Sequence, residues 1–520
     1  MENNASNGAS ALAVLLTVLS LVFGFLAALR RWRNTADPVL PPGLRGLPLV
    51  GYLIPFLRQH LHREFAKLAE IYGPIYKLWL GNKLWVVISS PSLAKEISRD
   101  QDVVFANRDA TIAASAVTFG GKDIAFADYG PYWRKMRKIF VREMMSSSSL
   151  DACYSLRKEE VKKCINNLHS NAGSPVDLGQ LSLFLLINSI MAMLWGHTGE
   201  GDKRESLNLE FQQTVAEMMV LLGKANISDI FPALARFDAQ GVERKAKSCH
   251  RRIDSFLDSI IDRAIEGAAI EKQAGHGERK KDILQLFLDL DIDGDEDNRT
   301  STTKNREIKA ILTDILVGGT DTTSTMVEWV MSELLQHKAV SEKVMEELTE
   351  VVGMNNMVEE HDLPKLTYLD AVIKETFRLH PPLPLLVPRC PSQSATIGGY
   401  KIPKGSKVFI NIWAIQRDPQ LWENPLQFKP ERYLENPGFD FSGNNFIFLP
   451  FGSGRRICAG VPLAERMLKY VLAALLHSFD WELPEGTELE FSDKFGIVVK
   501  KVKPLVAIPR PKLSKPELYQ

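Results

Sequence analysis

The chain has 520 residues, 45% of them apolar, with Lys+Arg and Asp+Glu both at 63. That is ample apolar material for a large buried core, and a net charge of zero offers no global basic field to nucleic acid. Five cysteines, Cys153, Cys164, Cys249, Cys390 and Cys458, are scattered and odd in number with no C-x-x-C pair, which argues against a disulfide framework or a zinc ribbon and fits a reducing compartment.

Residues 11–29, ALAVLLTVLSLVFGFLAAL, are uncharged and close to the roughly 20 residues a membrane helix needs. Arg30, Arg31 and Arg33 follow and no Lys or Arg precedes, so the positive-inside bias predicts an uncleaved anchor with Met1 in the lumen and the body in the cytosol. A cleaved signal peptide would want a basic leader and a shorter apolar run. No comparable span is expected beyond residue 30. The chain therefore divides into an anchor (1–30), a stiff proline- and glycine-rich lead (31–51) and one globular body (52–520) without repeats or an internal linker.

LHREFAKLAEIYG reads as an amphipathic helix ended by Gly73, and IYKLWLG with KLWVVIS as a hairpin around Gly81–Asn82. Helical patterns dominate from about 91 to 350, interrupted by a charged connection near 275–305. YLDAVIKETFRLH is a helix stopped by Pro381 and Pro382. Short strands follow in ATIGGYKIPKG and KVFINIW, then a proline-rich meander to Cys458 and a last helix, AERMLKYVLAALLHSF. The expected fold is mainly α with a minor β part.

Cys458 lies in PFGSGRRICAG, residues 450–460, among glycines and arginines rather than among apolar neighbours. A thiolate is the metal-binding form of cysteine, and the nearby cations and the start of a helix near Gly460 both favour it. Phe451, Gly454, Arg456, Cys458 and Gly460 spell F-x-x-G-x-R-x-C-x-G. This resembles the haem-thiolate signature of the cytochrome P-450 monooxygenases. In that family the E-x-x-R of KETFR, here Glu375 and Arg378, joins the arginine of FKPERY, Arg432, in a buried ion triad behind the haem. Trp133 and Arg137 resemble the W-x-x-x-R helix at the haem edge, and Arg389 and Arg456 match positions that contact the propionates. In VGGTDTT, Gly318 and Gly319 each cost about 1 kcal/mol against alanine in a helix interior and so need a reason. Thr322 shares a helix face with Gly318, Ile315 and Ile311. Asp321 and Thr322 look like the family's acid–alcohol pair, which delivers protons to bound dioxygen. RLHPPLPLLVPR and FINIWAIQRDPQLWENPLQFKPERY read like the plant A-type microsomal branch.

The resemblance implies haem b (iron protoporphyrin IX) on Cys458, with NADPH and flavins supplied through an NADPH–cytochrome reductase and a cytochrome b as an optional second donor. It implies a single-pass protein of the endoplasmic reticulum membrane that oxidises a small hydrophobic substrate and binds no nucleic acid. A haem-thiolate isomerase or dehydratase, or a haem carrier, would not need Thr322 and Asp321. The family's substrate-contacting segments map onto Phe105, Phe119, Ile311, Ile315, Gly318, Gly319, Leu385, Leu386, Val387 and Ile497. Mostly aliphatic walls, worth about 25 cal/mol per Å² buried, predict a terpenoid skeleton. A polyhydroxylated flavonoid or other phenylpropanoid is the alternative. It would lose about 1–3 kcal/mol per unsatisfied hydroxyl unless Asp314, Thr111, Ser115 or Thr118 served it.

Three stretches read as decoys. DLDIDGDEDNRT (289–300) begins like a calcium loop but has Thr300 where a bidentate Glu is required, so it reads as an acidic surface loop. Asn298 in its NRT sequon is expected to be cytosolic and unglycosylated. Arg134, Lys135 and Lys138 are expected to face water and steer an acidic redox partner. Met218 and Met219 read equally as pocket wall or plain core.

Overall fold

The computed structural model describes residues 40–44, 46, 51–52, 60–81, 83–196, 202–274, 283–284, 287, 301–436 and 438–520. The apolar stretch 11–29, the arginines after it, Asn82, the acidic stretch with Asn298 and much of the lead lie outside them.

Eleven helices frame the site: α1 (Leu61–Tyr72), α2 (Ile112–Val117), α3 (Pro131–Ile139), α4 (Tyr154–Ser170), α5 (Leu178–Trp195), α6 (Asp202–Gly223), α7 (Val242–Ala274), α8 (Ser301–Gln336), α9 (Lys338–Val351), α10 (Thr367–Leu379) and α11 (Val461–Ser478). Among the described residues ten short strands make up the minor part: β1 (Ile75–Leu80), β2 (Lys83–Ile88), β3 (Val176–Asp177), β4 (Ala395–Ile397), β5 (Tyr400–Ile402), β6 (Lys407–Ile410), β7 (Phe479–Glu482), β8 (Asp493–Lys494), β9 (Lys500–Lys501) and β10 (Val506–Pro511). The hairpin expected around Gly81 is β1–β2, antiparallel from Ile75 opposite Ile88 to Leu80 opposite Lys83, and β6 extends it in parallel. Period-two alternation gives this sheet two apolar faces. Tyr76, Leu78, Leu80 and Phe409 pack on Phe65 of α1, while Ile75, Val86, Ile88 and Ile410 enclose Ile97 and Phe105. Strands β3, β10 and β7 form a second sheet, and β4–β5 and β8–β9 are two-stranded.

The main core lies where α5, α8, α10 and α11 meet. At 36 residues, α8 is about 54 Å long and crosses the whole body. α5 packs along it. Its 18 residues have a mean hydropathy of 1.7, so the expectation of no second membrane-length apolar span is corrected here. Sixty-seven per cent of that segment is buried inside the protein. A helix apolar on all sides is what a central core position requires. Asp177 accepts from Gln180 N (2.9 Å) and caps its start. Met218 is core, and neither Met218 nor Met219 lines either of the two cavities described below.

Candidate active site

The Cys458 loop is held by backbone geometry. Cys458 N donates to Phe451 O (3.0 Å), and the Phe451 ring packs between Phe377 and Phe441, with centroids 5.2 and 5.1 Å away. Gly454 has φ +66°, and a Cβ there would lie 1.7 Å from Ser98 O. Gly460 is the N-cap of α11, and its N–H hydrogen-bonds the Cys458 sulfur. Cys458 sits deep in the molecule, yet its side chain is open, because what it opens into is an internal cavity of about 310 Å³. Burial raises the thiol's pKa, while the Gly460 N–H and the charge of Arg137 pull it back.

The cavity separates the Cys458 loop and the start of α11 from the middle of α8, where Gly318, Gly319 and Thr322 line it. The two glycines answer different needs. A Cβ on Gly318 would meet nothing within 4 Å, so its bare backbone keeps the cavity open. A Cβ on Gly319 would lie 2.8 Å from Ile190 Cδ1, so glycine there lets α5 approach α8.

Arg108, Arg137, Arg389 and Arg456 converge on this cavity. Arg137 Nη2 donates to Ile457 O (2.6 Å), and Arg389 Nη2 to Ser453 O (2.7 Å). Arg456 donates to the carbonyls of Ala106, Ile124 and Ala127, and its guanidinium lies 4.4 Å from the Trp133 ring centroid. Trp133 Nε1 donates to Ile124 O (2.9 Å). Arg108 binds the carbonyls of Ala125, Val387 and Pro388. Burial depresses all four guanidinium pKa values, Arg389 and Arg456 to about 10; at Arg108 the charges of Arg389, Arg456 and Arg137 add to the effect. Arg389 Nη1 is buried with no partner. Clustered buried cations with an orphaned donor fit a ligand that brings its own carboxylates. A haem is such a ligand, and Cys458 opens into the same cavity. Sequence reasoning missed Arg108; its signal, a lone arginine in FANRD, carries no pattern.

Behind the loop, Glu375 on α10 accepts Arg378 Nε and Nη2 (2.7 and 2.8 Å) and Arg432 Nε (3.2 Å). Lys429 N adds a fourth bond at 2.9 Å, and Glu375 and Arg378 are fully buried. The remaining Arg378 donors reach the carbonyls of Gln416, Pro425 and Gln427, so the group is satisfied throughout.

Thr322 lines the cavity and donates Oγ1–H to Gly318 O (2.7 Å). Asp321 does not line it. It is buried, paired with the half-exposed Lys500 of β9, and its Oδ2 has no partner. Of the expected wall residues, Ile315, Gly318, Gly319, Leu386 and Val387 line the cavity. Leu385 and Ile497 line a neighbouring cavity of about 570 Å³, which also touches Arg108, Leu386 and Val387. Phe105, Phe119 and Ile311 border neither. Phe105 is in the sheet core, the Phe119 ring packs 4.5 Å from that of His250 on α7, and Ile311 is sealed in the helical core. Arg134, Lys135 and Lys138 are exposed on α3, whose other face carries Trp133.

Glycine at 454 is expected to be irreplaceable. In Gly454→Ala, a left-handed backbone and a Cβ driven into a carbonyl together cost about 3 kcal/mol or more. Gly399 has φ +82° with nothing within 4 Å of a Cβ, so Gly399→Ala carries the backbone term alone. Thermal loss of the haem absorbance is expected several degrees lower in Gly454→Ala than in Gly399→Ala; equal midpoints would contradict the close approach.

A family model for cytochrome P450 matches residues 41–508. The chain belongs to the cytochrome P450 family. It is similar to the flavonoid 3'-monooxygenase of Petunia hybrida, 39% identical over 512 residues, 96% of this chain and 98% of that one. It is also similar to the flavonoid 3',5'-hydroxylase of Solanum melongena, 36% identical over 98% of this chain and 97% of that one. A zebra fish cytochrome P450 solved with progesterone superposes with a TM-score of 0.72 at 28% identity, covering 86% of this chain and 99% of that one. This P450 is accordingly a monooxygenase with a haem cofactor, and such enzymes draw electrons from a redox-partner reductase. The terpenoid expectation is corrected by these relatives, whose names specify flavonoids. Its physical error is visible in the walls. Phe105, Phe119 and Ile311, expected as apolar lining, do not line the cavity, whereas Arg108, Asp314 and Thr323 do.

Proposed function

We propose that this P450 hydroxylates a flavonoid, inserting one oxygen atom from O2 while two electrons from NADPH, passed through a diflavin reductase, and two protons convert the other to water. The similarity to flavonoid hydroxylases along nearly the whole chain carries this reading. The polar groups in the cavity wall support it, because each hydroxyl of a polyphenol needs a partner once buried.

The haem, when bound, supplies the oxidising chemistry, and the protein supplies the environment. Cys458 holds the iron, and its thiolate donates electron density toward it. Arg389, with its unpartnered Nη1, and Arg137 neutralise the propionates. Pro382, Leu386 and Val387 wall the substrate side and exclude water. Thr322 has its proton on Gly318 O and offers its oxygen lone pairs to the cavity, so it accepts a hydrogen bond from an incoming proton carrier. Asp321, tied to Lys500 and through it to solvent, feeds protons toward Thr322. Arg134, Lys135 and Lys138 receive the acidic face of the reductase one helix away from the haem. The stretch 11–29 anchors the protein in the endoplasmic reticulum membrane.

Thr322→Ala is expected to retain the haem spectrum and substrate-induced spin shift while product formed per NADPH falls about tenfold and peroxide rises. That is less than the 10²–10⁴ of a positioned proton donor, because water substitutes in part. Unchanged coupling would remove Thr322 from proton delivery. The substrate reading is tested by titrating purified protein with flavanones, flavones and sesquiterpenes. A low-to-high-spin shift and a product one oxygen heavier are expected with the flavonoids; their absence would refute the proposal.

A further inference from the structure

The larger cavity, about 570 Å³, has a floor and a rim of different chemistry, and its volume suits a small organic ligand. Period-two alternation puts Lys83, Trp85, Lys407 and Phe409 on one face of the first sheet, with Trp85 directly opposite Lys407. All four line the cavity. The Trp85 and Phe409 rings, with centroids 4.7 Å apart, form an aromatic floor that Leu80, Leu385 and Ile230 extend.

The rim is cationic. Lys83 Nζ donates to both oxygens of Asp109 at 2.7 and 2.8 Å. Lys407 Nζ lies 3.1 Å from Asp109 Oδ2 and 5.7 Å from the Trp85 ring centroid. Two ammonium groups thus share one carboxylate, and among the described residues no other acid is paired with either. Burial works against the Asp109 charge, yet Lys407 and Lys83 hold its pKa below the ordinary carboxylate value, so it counts as one full negative charge. Asp229 also lines the cavity, but its Oδ1 is engaged by Ile112 N at 2.7 Å, and burial raises its pKa. Arg108 adds a third cation, bonded to carbonyls and to no acid. Three cations therefore face two carboxylates even with Asp229 ionised. Lys224 and Lys494 add exposed positive charge at the edge, where Asp493 is already held by Arg63 of α1. One lysine would balance Asp109. The second leaves a surplus that a structural ion pair does not need, and an ammonium offers three donors, so Lys407 has donors beyond the one on Asp109.

We infer that the larger cavity is a binding site for an aromatic carboxylate, whose ring lies on Trp85 and Phe409 and whose carboxylate bonds Lys83 and Lys407. The site is distinct from the haem cavity and independent of the flavonoid reading. A neutral aromatic ring would gain the floor but leave the surplus charge unanswered, so the site discriminates by charge-assisted hydrogen bonds.

The test is isothermal titration of the purified holoenzyme with 2-naphthoate and its neutral counterpart 2-naphthamide, with 4-phenylimidazole on the iron so that neither probe can ligate it. The wild type is expected to bind 2-naphthoate about tenfold tighter than 2-naphthamide, the worth of one charge-assisted contact. Most of that preference is expected to vanish at about 1 M salt, where charges are screened beyond about 3 Å. Lys83→Met and Lys407→Met are each expected to bring the two probes within about twofold of each other. Asp109→Asn removes the carboxylate that competes with the ligand and is expected to raise the preference, which loss of a merely structural ion pair would not do. The 2-naphthamide Kd, set by the floor, is expected to stay within about twofold in all three variants and reports an intact cavity. Equal affinity of the two probes in the wild type, which needs no variant to fold, would overturn the inference. So would a preference that persists in both lysine variants, or one that falls in Asp109→Asn with 2-naphthamide binding intact. Binding of 2-naphthoate only in the absence of 4-phenylimidazole would place the anion in the haem cavity and overturn it as well.

Discussion

Cys458→Ala and Cys458→His are both expected to abolish the red-shifted Soret band of the reduced carbon monoxide complex. That band reports a thiolate ligand, and the cavity lining offers no second thiol: its other sulfurs, Met145, Met326 and Met467, are thioethers. Histidine in place of Cys458 leaves a nitrogen ligand and shifts the band to the blue; alanine leaves none. Cys390 is the control, since its backbone N bonds Asn107 O at 2.8 Å and its side chain borders neither cavity. Cys390→Ala should keep the band. Its persistence in either Cys458 variant would refute the assignment.

Glu375→Ala is expected to lower stability by about 3–5 kcal/mol, the cost of leaving buried charge uncompensated. Arg378 and Arg432 share this one carboxylate, and no other acidic side chain bonds either of them among the described residues. Arg378 would keep its three carbonyl partners, so the loss is specifically of countercharge. Glu375→Gln keeps an acceptor for Lys429 N without the charge and is expected to fall between the two. Urea unfolding, followed by tryptophan fluorescence and by haem absorbance, measures this. A wild-type midpoint in Glu375→Ala would show the triad to be energetically idle.

The sequence made the local features legible. Glu375 and Arg378 sit one helical turn apart on α10, and alternating apolar residues either side of Gly81 lead to β1–β2. The Cys458 loop is readable because Phe451, Gly454, Arg456, Cys458 and Gly460 stand at a contiguous, recognisable spacing, although the contact that demands glycine at 454 is with the distant Ser98 O. What stayed illegible depends on distant partners. α5 is apolar all round, and periodicity alone cannot separate a core helix from a membrane span. Ile311 shares a helix face with Thr322 by spacing, but three turns of α8 carry it past the end of the cavity into the core. Asp321 and Lys500 are separated by 179 residues and meet only because β9 is laid against α8. Arg108 reads as an isolated polar residue until the fold brings it to the cavity that Asp314 also lines.

The four converging arginines also bear on how the protein is made. If these arginines pair with the haem propionates as proposed above, a chain that must gather like charges in its interior gains little by completing that region before the dianionic cofactor arrives, and haem would act as an assembly ligand that shifts the folding equilibrium by mass action. Cells short of haem would then accumulate a partly assembled chain open to proteolysis, and the yield of mature enzyme would follow porphyrin supply more closely than messenger level.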